Sequence, residues 1–236
     1  MALIGILLSA FLFCSCEKDK EEEVPVVDMQ IAQSISFNYL ALGDSYTIGT
    51  GLVNESERYP IQLVDSINKS SMFDGSPPRI IARNGWTTGD LLFGTDTAEF
   101  DTTYQLVSLL IGVNNQYQNR PQDEYTDEFE ILLNRAIQYA GNDTSRVFVL
   151  SIPDYGVTPF GEDNAEEIAK EIDLFNSVNQ SITENYGISY FNITPISRMA
   201  ANDSSLIAPD DLHPSGEMYA LWVEEIEDEI RQKLMP

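Results

Sequence analysis

One serine and one histidine, far apart in the chain, have the side chains that ester hydrolysis requires. Ser45 directly follows a Gly-Asp pair at the end of the apolar run 37–42, and His213 is the only histidine. A serine hydroxyl attacks a carbonyl only when a base removes its proton, and the usual histidine pKa of about 6.5 suits that role. Asp210 lies three residues before the histidine. This pattern predicts Ser45 as nucleophile, His213 as general base and Asp210 as the acid that orients it.

Each of these residues also has an ordinary structural explanation. A serine after a strand is common as a helix N-cap, and a histidine before Pro214 is common in a surface turn. Asp211 is a second carboxylate beside the histidine. The three-residue spacing favours Asp210 as the orienting acid, so we expect Asp211 to be a solvated loop charge.

Short apolar segments alternate with longer amphipathic ones from residue 37 onward, which is typical of an α/β fold with a parallel sheet. The predicted strands are 37–42, 78–83, 105–113, 146–152 and 188–193. Helical spacing of apolar residues predicts helices over 59–67, 87–92, 121–140, 165–186 and 214–234. Open parallel sheets bind ligands at the carboxyl ends of their strands, which is where Ser45 lies. The sequence therefore predicts one domain, 37–236, with its site at that edge.

The composition suits one globular domain, and the predicted hydrolase chemistry implies a small-molecule ester substrate. The chain has 236 residues, 43% of them hydrophobic, and a formal net charge of -25 with a pI near 4.1. Nucleic-acid binding usually requires a basic surface, so this class of partner is disfavoured. The sequence does not indicate an oligomeric state.

The first residues resemble a bacterial lipoprotein signal, 1–16, with lipidation at Cys16. The apolar run 2–13 is too short to span a membrane and suits a secretory h-region, although a basic segment before it is missing and the true start is expected upstream. The charged segment 17–36 is predicted to be a tether. Its acidic beginning resembles that of surface-exported lipoproteins of Bacteroidetes, which implies anchoring to the cell envelope, at the outer membrane or cell surface. Phe13, where leucine is usual, departs from the pattern, and ordinary signal-peptidase cleavage is the alternative.

Four short blocks occur in order along the predicted domain: Gly43-Asp44-Ser45, Gly85, Gly112-Val113-Asn114 and the Asp210…His213 pair. Together they resemble the conserved blocks of the SGNH (GDSL) hydrolases. Each block is weak alone, but four in the right order over one domain are specific. The resemblance implies a flavodoxin-like three-layer sandwich with a mostly parallel central sheet.

The resemblance also implies a role for each matched residue. Ser45 is expected to form an acyl-enzyme with the help of His213 and Asp210. The backbone N–H groups of Ser45 and Gly85 and the side-chain amide of Asn114 are expected to form the oxyanion hole. An Asn-Gly turn and a strand-end asparagine are the ordinary explanations for the last two. Asn115 replaces the usual aspartate of the third block, at a position without a direct catalytic role.

These observations predict a serine esterase acting on carboxylic esters, either lipid-type or acetylated-carbohydrate, without a metal or organic cofactor. The chain has no Gly-x-Ser-x-Gly elbow, no P-loop and no Gly-x-Gly-x-x-Gly, so the α/β-hydrolase fold and nucleotide binding lack support. Aromatic residues in predicted loops are candidates for the pocket wall, or else ordinary core residues: Trp86, Tyr117, Tyr155 and Phe160. The alternative is a catalytically silent, surface-anchored ligand- or glycan-binding lipoprotein on the same fold.

Overall fold

The computed structural model describes residues 34–100 and 102–235. The predicted signal 1–16, its lipidation site Cys16 and nearly all of the predicted tether 17–36 lie outside these residues. Within them, no helix has the length and apolar content needed to cross a membrane.

A five-stranded parallel sheet forms the centre of the domain. The strands, in chain order, are β1 (Ile35–Phe37), β2 (Tyr39–Gly43), β3 (Phe73–Gly75), β4 (Arg79–Ala82), β5 (Leu106–Leu110), β6 (Val147–Leu150) and β7 (Ser189–Phe191). The large sheet has the order β4-β2-β5-β6-β7 with every pair parallel, and β1 pairs with β3 in a separate parallel ribbon. This is the flavodoxin-like strand order, so the predicted fold class is confirmed.

The described residues contain eight α-helices. They are α1 (Ser45–Ile48), α2 (Tyr59–Ile67), α3 (Thr88–Thr97), α4 (Val113–Tyr117), α5 (Gln122–Tyr139), α6 (Ala165–Asn185), α7 (Thr194–Arg198) and α8 (Gly216–Leu234). Helix α2 packs against α8, whereas α5 packs against both α3 and α6. Every residue of the central strands β2, β5 and β6 is buried, which requires helices on both faces of the sheet.

A buried cluster of aromatic residues joins the sheet to α2 and α8. The Ser108 hydroxyl of β5 is bonded by the Tyr39 hydroxyl at 2.6 Å and by the Tyr59 hydroxyl at 3.1 Å. Tyr59 also packs against Tyr219 and Trp222 of α8, with ring centroids 6.1 Å away in each case. These contacts fix the start of α8, and the loop that carries His213 comes immediately before it.

All five predicted strands are longer than the observed ones, and in two of them a specific residue ends the strand. The run 37–42 is interrupted at Asn38, whose backbone N–H donates to Gln105 Oε1 and whose Oδ1 accepts from the Gln105 backbone, each at 3.1 Å. The run 105–113 ends at Leu110 because Gly112, with φ 132°, turns the chain into α4. Continuous apolar character does not mark either break, since the residues on both sides are buried.

Candidate active site

Ser45 is the first residue of α1, directly after β2. The helix is capped by Asp44, whose Oδ1 accepts the backbone N–H of Tyr46 at 3.0 Å. The explanation of Ser45 as the capping serine is therefore wrong. A first helical residue has no intrahelical partner for its N–H, and the Ser45 N–H donates to no group in the described part of the chain.

The tight turn before Ser45 requires a glycine at position 43. A Cβ atom there would lie 2.4 Å from the Leu110 carbonyl oxygen and 2.1 Å from Thr47 Oγ1. Real side chains do not approach this closely, so β2 can run beside β5 and turn into α1 only with hydrogen at this position.

Burial gives the capping carboxyl an unusual environment. It raises the pKa of Asp44 to about 7, although backbone N–H groups at Tyr46, Asp44 itself and Gly112 act in the opposite direction. Among the described residues, Asp44 Oδ2 has no hydrogen-bond partner. Sequence reasoning gave this residue no role, although an aspartate before a helix is a recognisable capping signal.

His213 is held by Asp210 through both side chain and backbone. The ring Nδ1 lies 2.7 Å from Asp210 Oδ2, and the His213 backbone N–H donates to Oδ1 at 2.9 Å. Burial acts to raise the pKa of Asp210, but these bonds from His213 outweigh it and leave the pKa below its usual value. Because an ionised carboxylate only accepts, Nδ1 carries the ring proton and Nε2 is left as the basic nitrogen.

The loop around His213 is fixed on two sides. The His213 carbonyl oxygen accepts the Ala208 N–H at 2.7 Å, and Ile207 forms an antiparallel bridge with Pro214. On the other side, the Tyr46 ring packs edge-on to the imidazole with centroids 5.6 Å apart. The residue next to the proposed nucleophile therefore contacts the proposed base.

A single cavity brings Ser45, His213 and Asn114 together. Its volume is about 180 Å³, and its wall consists of Ser45, Tyr46, Asn84, Val113, Asn114, Tyr117, Tyr155, Phe160, Leu212 and His213. Across the described residues, no hydrogen bond joins Ser45 Oγ to the imidazole. Catalytic hydrogen bonds often form fully only when substrate is bound, so the lack of this bond does not argue against Ser45 as nucleophile.

The predicted oxyanion donors lie at the same edge of the sheet. Asn114 follows β5, and its Nδ2 donates one hydrogen to the Trp86 carbonyl at 2.9 Å, leaving the second hydrogen available. Gly85 has φ 81°, a conformation that favours glycine, and its N–H has no partner in the part of the chain that the structure covers. It is the neighbouring Asn84, rather than Gly85, that lines the cavity.

Three of the four predicted pocket aromatics line the cavity and contact one another. Centroids lie 6.2 Å apart for Tyr117 and Tyr155, 5.9 Å for Tyr117 and Phe160, and 6.2 Å for Tyr155 and Phe160. Trp86 packs instead against Gly94 of α3, where a Cβ would come within 2.5 Å of its ring. The prediction for Trp86 is therefore wrong, because its side chain fills the space that this glycine leaves.

A second cavity lacks the residues that ester hydrolysis requires. A larger and more open cavity of about 570 Å³ is lined by Leu52, Val53, Ser56, Glu57, Gln62, Ala208, Pro209, Ser215, Gly216, Glu217 and Ala220. It contains serines but no histidine to activate them. Over residues 34–100 and 102–235, no group of three or more His, Cys, Asp or Glu side chains is arranged to hold a metal ion.

Solved structures with the same fold are hydrolases of low sequence identity. The psychrotrophic esterase EstA from Pseudoalteromonas sp. aligns with a TM-score of 0.63 and 19% identity over 83% of this chain and 97% of its own. The lipase/acylhydrolase from Enterococcus faecalis gives 0.66 and 19% over 85% and 98%. The acetylxylan esterase Axe2 from Geobacillus stearothermophilus gives 0.62 and 16% over 84% and 96%.

Sequence similarity to a protein family, rather than similarity to these structures, establishes the family of this chain. No curated protein sequence matches the chain. The model of the GDSL-like Lipase/Acylhydrolase family, however, matches residues 41–221, which include every residue of the proposed site. The chain therefore belongs to the GDSL-like lipase/acylhydrolase family and is a carboxylic ester hydrolase.

Proposed function

We propose that the protein is a serine esterase that hydrolyses short-chain carboxylic esters through an acyl-Ser45 intermediate. The observation that carries the proposal is the arrangement of one cavity: Ser45 and His213 both line it, and the imidazole is bonded to Asp210 through Nδ1. This arrangement combines a nucleophile, a base and an orienting carboxylate.

In the first half of the reaction, Ser45 Oγ attacks the ester carbonyl and its proton passes to His213 Nε2. The resulting oxyanion accepts from the free N–H groups of Ser45 and Gly85 and from Asn114 Nδ2. The tetrahedral intermediate collapses when the C–O bond to the alcohol breaks, and His213 gives its proton to that alcohol. Water then repeats the sequence on the acyl-enzyme, with His213 first as base and then as acid.

The size of the cavity supports a short acyl group. Pockets for drug-sized ligands measure about 300–1,000 Å³, whereas this one measures about 180 Å³. Tyr155 is buried, but Tyr117 and Phe160 are half exposed at the mouth. We infer that the acyl group enters the cavity and that the alcohol part lies against these exposed rings. An acetylated carbohydrate, with its small acyl group and large alcohol part, fits this arrangement better than a lipid-type ester. One of the similar structures, Axe2, is an acetylxylan esterase.

A panel of nitrophenyl esters tests this function. We expect kcat/KM for the acetate and butyrate to exceed that for the decanoate by about 10-fold or more, because the added methylenes do not fit. Activity on acetylated sugars, measured as released acetate, is expected alongside. A kcat/KM that rises steadily with chain length would contradict the short-acyl assignment.

We also propose that the protein is an exported bacterial lipoprotein anchored to the cell envelope through Cys16. The support is the sequence alone: an apolar run of secretory length, a small residue before Cys16 and a charged segment after it. With a clickable fatty-acid analogue, we expect labelling of the wild type and loss of the label in Cys16→Ser. Cys14→Ser is the matched control and is expected to keep the label. Label retained in Cys16→Ser would refute the anchor.

A further inference from the structure

A continuous chain of hydrogen bonds joins helices α3, α4 and α5 close to Gly85 and Asn114, two of the proposed oxyanion donors. Asn115 of α4 is fully buried, and its Oδ1 accepts the backbone N–H of Thr88, at the start of α3, at 3.0 Å. Its Nδ2 donates to the Thr88 hydroxyl at 2.7 Å. That hydroxyl lies 2.5 Å from Oε2 of Glu128 in α5. None of these three side chains lines the cavity.

The Glu128 carboxylate at the end of this chain determines which group donates and which accepts in each hydrogen bond. Ionised Glu128 can only accept, so the Thr88 hydroxyl must donate to it. The hydroxyl oxygen then accepts from Asn115 Nδ2, which leaves Asn115 Oδ1 for the Thr88 N–H. The amide orientation is therefore set by a charge on another helix. Glu128 also lies beside Gly89 in the first turn of α3, where a negative charge is favourable.

The same short segment is held at a second point by the neighbouring asparagine. Asn114 Nδ2 donates to the Trp86 carbonyl at 2.9 Å, two residues before Thr88 and one after Gly85. Consecutive residues of α4 thus bind the two ends of the segment 86–88. The position of Asn114 relative to Gly85 depends on both attachments.

We propose that Asn115, Thr88 and Glu128 act together as positioning residues that hold Gly85 and Asn114 in the geometry needed for the oxyanion. The proposal rests on the proposed function of the site, since it assigns these residues to the same hydrolysis. They do not contact the reacting atoms. Their effect is expected in kcat rather than KM, because the oxyanion forms only in the transition state.

A charge exchange between positions 115 and 128 provides the test. Asn115→Asp places two carboxylates around the single Thr88 hydroxyl proton, so one carboxylate oxygen is left without a donor. We expect kcat to fall about 10- to 100-fold with little change in KM. Glu128→Gln alone is expected to lower kcat, but by less than Asn115→Asp, because its amide oxygen can still accept from Thr88 although it no longer fixes the direction of the chain. The double variant satisfies every group with the chain reversed: the new carboxylate accepts both the N–H and O–H of Thr88, and the new amide donates to the Thr88 oxygen. We expect it to recover kcat to near the value of Glu128→Gln.

A matched control distinguishes this geometry from a general charge effect. Asp127 is exposed and adjacent to Glu128, so Asn115→Asp combined with Asp127→Asn removes the same charge without touching Thr88. This control is expected to stay as slow as Asn115→Asp alone. Equal recovery in both double variants, or recovery in neither, would overturn the proposal.

Amide hydrogen exchange in segment 85–92 gives a readout that does not depend on activity. Exchange in this segment is expected to be faster in Asn115→Asp than in the wild type. It is expected to return to the wild-type rate in the double variant with Glu128→Gln. Thermal unfolding of each variant shows whether the whole fold has changed. Unchanged exchange in Asn115→Asp would overturn the positioning role. Retained activity in Ser45→Ala, by contrast, would refute the proposed function and leave the exchange result standing.

Discussion

The Ser45→Ala variant is expected to lose all covalent labelling by a fluorophosphonate and to show a kcat for nitrophenyl acetate lowered on the order of 10⁴- to 10⁶-fold. The reason is that no acyl-enzyme can form without the hydroxyl, which leaves only water attack assisted by the oxyanion donors. The fold is expected to survive the change, since Asp44 and not Ser45 caps α1. Intact mass after labelling and initial rates measure the two effects.

Ser56→Ala is the matched control for this prediction. Ser56 is an exposed serine in the larger cavity, where no histidine is present. The variant is expected to label and to hydrolyse esters like the wild type. Labelling that persists in Ser45→Ala, or that disappears in Ser56→Ala, would show that another serine is the nucleophile.

The Asp210→Asn variant is expected to lower kcat on the order of 10⁴-fold, because an amide at this position no longer enforces the proton on Nδ1. The carboxylate accepts both the ring N–H and the backbone N–H of His213, at 2.7 and 2.9 Å. The lowered pKa of Asp210 keeps this acceptor ionised at neutral pH. Steady-state rates at pH 8 measure the loss.

Asp211→Asn tests whether the loss is specific to one of two adjacent carboxylates. Asp211 is exposed and has φ 60°, a conformation that asparagine also tolerates. This variant is expected to keep the wild-type kcat. Equal losses in the two variants would point to a disturbed loop rather than to an orienting acid, and a normal rate in Asp210→Asn would exclude that role.

The strand order explains how distant residues come to share one cavity. The order β4-β2-β5-β6-β7 reverses between β2 and β5. Ser45 follows β2 and Asn114 follows β5, so both lie at the carboxyl edge beside this reversal, where ligands bind in open α/β sheets. His213 reaches the same edge because α8 packs against α2, which follows β2 in the chain.

The features that local sequence determines are those that depend on periodicity and on short spacing. Alternating strands and helices predicted the parallel sheet, and helix α2 was predicted with its observed bounds. The Asp210 and His213 pair is also local, since three residues of a turn suffice to bring a carboxylate to its own loop's imidazole. These interactions are decided within one element or one turn.

Only the tertiary structure decided the features that depend on contacts between elements. The break at Asn38 needs Gln105, the space for Trp86 comes from Gly94, and the raised pKa of Asp44 comes from burial beneath other elements. Asn115 departs from a motif at a position that local sequence marks as neutral, but in the folded protein it bonds to Thr88, which in turn bonds to Glu128. Such contacts join residues tens of positions apart. Residue type and local spacing do not indicate these partners, because the packing of helices against the sheet determines which distant residues meet.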